Sequence, residues 1–194
     1  MRILNLYAGI GGNRKLWADT HEVTAVELCP KIAAVYQDLF PNDIVVVGDA
    51  GEYLRTNVHN FDFIWLSPPC PTHSKLRLAL KNDLVFPDLG LYEKIIFLNH
   101  FAKCKFSVEN VVPYYEPLIK PTARIDRHLF WANFEIPPFE IKTEWRTGKV
   151  ANEKLLLEEK FGFDLSKYKG IDKRKVLRNC VVPELGQHIL NAIY

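Results

Sequence analysis

Ile3-Leu4-Asn5-Leu6-Tyr7-Ala8-Gly9-Ile10-Gly11-Gly12 is a short apolar run that ends in a glycine-rich turn. Ile3 to Tyr7 reads as a buried strand. The glycines let the backbone turn tightly and come close to a ligand. Asn13 to Asp19 can then start a helix. Strand, glycine-rich turn and helix, in that order, open a Rossmann-like sheet whose ligand sits on the turn. The spacing is not the GxGxxG of dinucleotide sites, so a nicotinamide cofactor is not indicated. Taken alone, a G-x-G-G turn is equally compatible with a plain turn.

The neighbouring strands add to this. Val23 to Glu27 reads as a second strand ending in an acid, where such sheets hold the hydroxyls of a ribose. A solvated surface glutamate reads the same way in isolation. Pro30 opens a helix that runs to about Phe40. Ile44 to Val47 is a third strand, and Asp49 stands just past its end, placed to accept a hydrogen bond from an adenine amino group. One glycine turn and two acids suit an adenosine-bearing ligand without a pyrophosphate. There is no Walker lysine and no second phosphate-cradling loop.

Phe61 to Leu66 is a fourth strand, and Pro68-Pro69-Cys70 follows it. Two prolines cannot continue a central strand, so the chain leaves the sheet there. Cys70 therefore sits on a stiff loop at the carboxyl edge, where ligands collect in open α/β sheets. A free cysteine is otherwise a small, inert hydrophobe. Lys75 to Asp83 is polar and reads as a loop. Leu91 to Phe101 has helical spacing. Lys105 to Val112 is a fifth strand with Glu109 and Asn110 at its end. Arg124 to His128 precede an apolar strand, Leu129 to Phe134, and Pro137-Pro138 breaks the chain. A charged helix is expected over Asn152 to Lys160, and a closing helix from Glu184 to Tyr194.

The expected fold class is α/β: a Rossmann-like sheet with helices on both faces, plus a small appendage. The expected parts are a catalytic, cofactor-binding domain over 1–134, a small target-recognition region over 135–175, and a segment over 176–194 that packs back on the first. A chain of 194 residues with 48% hydrophobic content fits one domain and a proper core. The net charge of +2 excludes a polycation. The segment from Glu140 to Arg178 carries eleven basic against seven acidic residues, which suits a face turned to phosphates. A solvated charged helix accounts for much of it equally well. Cys29, Cys70, Cys104 and Cys180 form no CxxC pair, so neither a metal site nor a disulfide framework is expected. Reduced thiols, no signal peptide and no membrane-spanning run point to a cytoplasmic protein.

These motifs, in this order, resemble those of the cytosine-5 DNA methyltransferases, which use S-adenosylmethionine. The resemblance covers most of residues 3–134 and resumes at 177–194. It implies that Tyr7, Ala8, Gly9, Ile10, Gly11 and Gly12 form the cofactor loop. Glu27 with Leu28 would hold the ribose, and Asp49 with Ala50 the adenine. Pro68 borders the cofactor, and Pro69-Cys70 with Ser74 forms the catalytic loop. Glu109-Asn110-Val111 resembles the family's Glu-Asn-Val motif, and Arg127 with Arg124 its arginine pair. Asn179-Cys180-Val181-Val182-Pro183 resembles the last motif, which returns to the cofactor pocket. The sequence departs from the family at Asn5 (usually Asp), Pro71 (usually Gln) and Arg178 (usually Gly). The recognition region, about Phe134 to Lys175, is far shorter than in typical members.

The resemblance implies a Cys70 nucleophile, a Glu109 proton donor, and an Arg127 that holds the base. Pro69, Ser74, Asn110, Val111 and Arg124 would contact it. The expected substrate is DNA with its target cytosine flipped out or already single-stranded, and the stretch Thr72 to Asp83 would cover it. The short recognition region leaves RNA or a free nucleotide as alternative substrates, a non-catalytic DNA-binding remnant as an alternative to an enzyme, and a partner chain as a way to complete recognition. Oligomeric state is not indicated. The small size suits a phage or a restriction-modification system.

Overall fold

Leu4 and Leu6 face one apolar cluster and Ile3 faces another, so the first strand is buried on both sides. That is the signature of a parallel sheet covered by helices. The computed structural model describes residues 1–74, 86–141 and 152–194. Among these the strands are β1 (Arg2–Leu6), β2 (Glu22–Glu27), β3 (Ile44–Val47), β4 (Phe63–Leu66), β5 (Lys105–Val111), β6 (Ala123–Ile125) and β7 (His128–Ala132). The helices are α1 (Pro30–Leu39), α2 (Ala50–Asn57), α3 (Gly90–Phe101), α4 (Glu153–Phe161), α5 (Lys173–Arg178) and α6 (Pro183–Asn191). No helix among the described residues is long and apolar enough to cross a membrane.

The sheet order is β3-β2-β1-β4-β5-β7-β6. Strands β1 to β5 are parallel, and β7 runs antiparallel between β5 and β6. The order reverses between β1 and β4, which opens a crevice at the carboxyl edge between the glycine turn and the Pro-Pro-Cys loop. Leu54 of α2 and Leu91, Ile95 and Leu98 of α3 cover one face. Val35 of α1, Leu157 and Phe161 of α4, Leu177 of α5 and Leu185 and Ile189 of α6 cover the other. The fold is therefore the expected Rossmann-like α/β sheet with helices on both faces. Phe161, Phe163 and Leu165 are buried in the same cluster as Ile3 and Trp65, so this part of the appendage shares the main core.

The expected helix over Asn13 to Asp19 is replaced by turns. Successive i→i−3 bonds run from Gly11 N–H to Ala8 O, Arg14 N–H to Gly11 O and Trp17 N–H to Arg14 O. Side chains hold this tighter path. Asn13 Nδ2 donates to Asn5 Oδ1 at 2.9 Å, and buried Arg14 grips buried Asp43 through Nε and Nη2 at 2.9 and 3.1 Å. Asn5, one of the departures from the family, thus serves as the anchor of a buried amide pair. The last strand ends at Ala132 rather than Phe134, and α6 ends at Asn191. Residues 75–83, most of the stretch expected to cover the base, lie outside the described residues, as does part of the expected recognition region, 142–151.

Candidate active site

The glycine turn, the expected cofactor loop, begins where β1 ends. Tyr7 has φ +58°, a left-handed conformation that is uncommon for a tyrosine and turns the chain out of the sheet. Gly11 has φ +81°, and a Cβ there would sit 2.3 Å from the Phe40 ring, so only glycine fits. Gly9 differs: a Cβ there would meet nothing within 4 Å, which leaves open space beside the turn. Its N–H donates to Glu27 Oε2 at 3.0 Å, and Cys29 N–H donates to Glu27 Oε1 at 2.9 Å. Glu27 thereby ties the ends of β1 and β2 together at the mouth of the crevice. On the next strand Asp49 caps α2, its Oδ1 accepting from Glu52 N–H at 2.8 Å. Leu28 is exposed, while Ala8, Ile10 and Ala50 are buried behind the loop.

The chain returns to this loop from its far end. A Cβ on Gly12 would lie 2.6 Å from Val181 O and 2.7 Å from Cys180 Cβ. Cys180 is buried, and burial pushes its thiol up to about 12, so it is an inert packing group here. Asn179 stands exposed at the end of α5. Arg178, the third departure from the family, donates from Nε and Nη2 to the two oxygens of Glu153, both at 2.8 Å, and clamps α5 to α4.

The Pro-Pro-Cys loop is held from three sides. Asn110 Nδ2 donates to Pro68 O at 3.0 Å. His73 N–H and Ser74 N–H both donate to Cys70 O, closing a tight turn, and Ser74 forms an antiparallel bridge with Pro113. Buried His73 lies against Tyr115, with Nδ1 and the phenol oxygen 2.6 Å apart, and Tyr92 O–H donates to Tyr115 O–H at 3.1 Å. Burial lowers the His73 pKa, which favours the neutral ring that accepts from Tyr115. Pro68 is buried and Pro69 is exposed.

Glu109 and Arg127 lie near enough to Cys70 for their charges to act on its thiol. Burial first, and the Glu109 carboxylate second, push the Cys70 thiol above its ordinary value, while the thiol's own amide and the Arg127 guanidinium pull it down. The resting group is therefore a thiol. Glu109 lies buried on β5, with Oε1 2.6 Å from Nδ1 of buried His128. Arg127 occupies the two-residue turn between β6 and β7, where Asp126 takes φ +52°. Val112 N–H donates to Arg127 O at 2.8 Å, which pins that turn beside the end of β5. Arg124 is exposed on the edge strand and donates from Nε to Asp126 O, so it braces the turn that carries Arg127. Val111 pairs with His128 at the end of the ladder.

Sequence reasoning missed His128, His73 and Tyr115. The only signal for His128 was a histidine opening an apolar strand, and its partner is set by strand register. A cavity of about 500 Å³ opens at the opposite edge of the sheet, among His59, Asp62, Lys103 and Lys105. It lies at the amino ends of β4 and β5, away from the groups described above.

The family model for C-5 cytosine-specific DNA methylases matches residues 1–111. Curated protein sequences give no significant match. Among solved structures, a DNMT2 variant from Spodoptera frugiperda is 26% identical, with 57% of this chain and 35% of that chain covered at a TM-score of 0.39. A SAM-dependent methyltransferase from Agrobacterium tumefaciens is 14% identical, covering 59% and 40% at 0.45. A conserved hypothetical protein from Streptococcus pyogenes is 15% identical, covering 68% and 83% at 0.46.

Proposed function

Because the chain belongs to the C-5 cytosine-specific DNA methylase family, we propose that it transfers a methyl group from S-adenosylmethionine to carbon 5 of cytosine in DNA, through a covalent bond to Cys70. The observation that carries this reading is that the Pro-Pro-Cys loop, the end of β5 and the β6–β7 turn are tied together at the carboxyl edge, by Asn110 to Pro68 O and by Val112 to Arg127 O, near enough for charge on Glu109 and Arg127 to act on the Cys70 thiol.

The cofactor fits the residues present. The open space at Gly9 lies beside the Glu27 carboxylate, with Asp49 at the end of the neighbouring strand and Leu28 exposed nearby. Glu27 would hold the ribose hydroxyls, Asp49 and Ala50 the adenine, and the Tyr7–Gly12 turn, Pro68, Asn179 and Cys180 the remaining edges. When bound, S-adenosylmethionine supplies an electrophilic methyl group on a positively charged sulfur.

Carbon 5 of cytosine is a poor nucleophile, so this chain's residues must activate the ring. The Cys70 thiol passes its proton through water to the Glu109 carboxylate, and the sulfur forms a bond to carbon 6. Negative charge then builds toward ring nitrogen 3, where Glu109 donates its proton and becomes a carboxylate. Arg127 holds the exocyclic oxygen and stabilises the developing charge. After methylation the carbon 5 hydrogen leaves as a proton to water, the carbon 6–sulfur bond breaks, and the proton on nitrogen 3 returns through Glu109 to the released Cys70 thiolate. Pro69, Ser74, Asn110, Val111 and Arg124 would shape the pocket for a cytosine flipped from the duplex.

The test is transfer of a labelled methyl group to duplex DNA, single-stranded DNA, RNA and free nucleotide in parallel. Label in DNA cytosine is expected. Label only in RNA or nucleotide would move the substrate, as the short recognition region also allows. DNA containing 5-fluorocytosine should trap the protein as a shifted band on a denaturing gel, dependent on S-adenosylmethionine, because fluorine cannot leave as the proton does. Cys70→Ser should give no band, whereas variants at Cys29 and Cys104 should keep it. A folded, cofactor-binding protein with neither label nor band would be a non-catalytic remnant.

A further inference from the structure

Glu109 stands opposite Phe130 in the β5–β7 ladder, and His128 lies two residues earlier on β7. Residues so placed are diagonal neighbours on one face of the sheet. Their side chains meet at 2.6 Å between Oε1 and Nδ1, and both are more than nine-tenths buried. His128 is held by pairing on both sides, to Val111 of β5 and to Ile125 of β6, so its ring rides on a rigid part of the sheet.

We propose that His128 is a positioning residue for Glu109: its Nδ1–H donates to Oε1, which leaves Oε2 and its proton to face ring nitrogen 3 of the target cytosine. This rests on the cytosine methylation proposed above. The terminal torsion of a glutamate is broad and nearly two-fold, so burial alone does not decide which oxygen faces the base. A donor fixed on one oxygen does decide it. The role also sets the tautomer. An oxygen that accepts from His128 requires the proton on Nδ1. The opposite tautomer would draw the carboxyl proton toward the ring and away from the substrate. When Glu109 gives its proton to nitrogen 3, the bond from Nδ1–H becomes charge-assisted and shortens in effect, roughly doubling in strength. The gain comes as the proton moves, so it falls on kcat rather than on substrate binding.

Two variants separate this role from packing. His128→Leu removes the donor, and His128→Asn keeps an N–H close to the Nδ1 position. His128→Leu should lower kcat by about 100-fold, at the low end for losing an effective general acid. The KM for DNA and the cofactor affinity should stay within about threefold of wild type. His128→Asn should recover activity to within about tenfold of wild type. In a Glu109→Gln background, His128→Leu should add less than about threefold, because residues that act as a unit are not additive. Nitrogen-15 NMR of the histidines should show His128 with its proton on Nδ1, a readout independent of turnover. A proton on Nε2 alone overturns the proposal. So does His128→Leu with wild-type kcat, or a loss in that variant that His128→Asn does not rescue. Wild-type protein that methylates no cytosine-bearing nucleic acid overturns the functional reading itself, and the positioning role with it.

Discussion

The side-chain amide of Asn110 donates to the carbonyl of Pro68, 42 residues earlier in the chain, and both groups lie out of water. The same side chain accepts from Val111 N–H at 2.9 Å. A residue beside the proposed proton donor therefore fixes the loop that presents the proposed nucleophile. Asn110→Ala leaves a buried carbonyl unpaired, which costs about 1–3 kcal/mol. The loop should also drift from its working geometry, and a misplacement on the order of 1 Å costs about 100-fold in rate. Urea denaturation and methyl-transfer kinetics would read the two effects. A destabilised variant with wild-type kcat would show that the bond is structural only.

Glu27 accepts from Gly9 N–H and Cys29 N–H, so it organises the loop it is proposed to share with the cofactor. Glu27→Ala is expected to weaken S-adenosylmethionine binding by about 1.5–3 kcal/mol, the range for hydrogen bonds to a charged group. Asp49 also caps α2, so an alanine there would mix two effects. Asp49→Asn keeps an equally good cap and tests the ligand role alone. Calorimetric titration measures both. Unchanged affinity in Glu27→Ala would remove the ribose from that position.

Much of this fold was legible because β1 to β5 are short apolar runs ended by glycine, proline or an acid. What was lost had specific causes. Helix α2 carries Gly51 and few apolar residues, and Asp49, which with Glu52 makes the start-and-third-residue pattern of a helix cap, was read as ligand chemistry alone. Helix α5 (Lys173–Arg178) lies in the basic segment from Glu140 to Arg178, which was read for its charge rather than for a helix. In the structure Arg174 Nη2 lies 2.9 Å from Glu153, and Lys173 Nζ donates to Ser166 O. Strand β6 is three residues long, and its turn uses Asp126 in the left-handed region where glycine would have flagged it. Cys70, Glu109 and Arg127 were readable through the family resemblance. His128 was not, because its contact with Glu109 depends on the register of two strands that no local pattern encodes.

Gly186 shows how closely the last helix seats on the glycine turn. A Cβ there would lie 2.2 Å from Asn13 O and 2.7 Å from Asn13 Cα. Trp17 Nε1–H also donates to Gly186 O at 3.1 Å. Gly186→Ala must push α6 and the turn apart, and overpacking of this kind costs about 1–3 kcal/mol. The turn carries the proposed cofactor loop, so affinity for S-adenosylmethionine should fall together with stability. Denaturant midpoints and titration on the same preparations test the coupling. Lower stability with unchanged affinity would mean that the loop holds its shape without α6.

Cys70 yields an expectation in which two effects of one substitution have opposite signs. Burial and the Glu109 carboxylate hold the resting thiol above its ordinary pKa, and Arg127 opposes them. Only the thiolate reacts with iodoacetamide, so alkylation of Cys70 in the free protein should be slow at pH 7 and should rise as pH increases through the raised pKa. Removing the negative neighbour by Glu109→Gln should shift that profile to lower pH and speed labelling at pH 8. The same variant should slow methyl transfer by about 100- to 10,000-fold, because the proton donor is gone. Arg127→Ala should move the labelling profile the other way. Mass spectrometry of the Cys70 peptide separates it from Cys29, Cys104 and Cys180. Labelling that Glu109→Gln leaves unchanged would mean that the carboxylate does not act on the thiol. Labelling and methyl transfer that both accelerate would remove Glu109 as the donor.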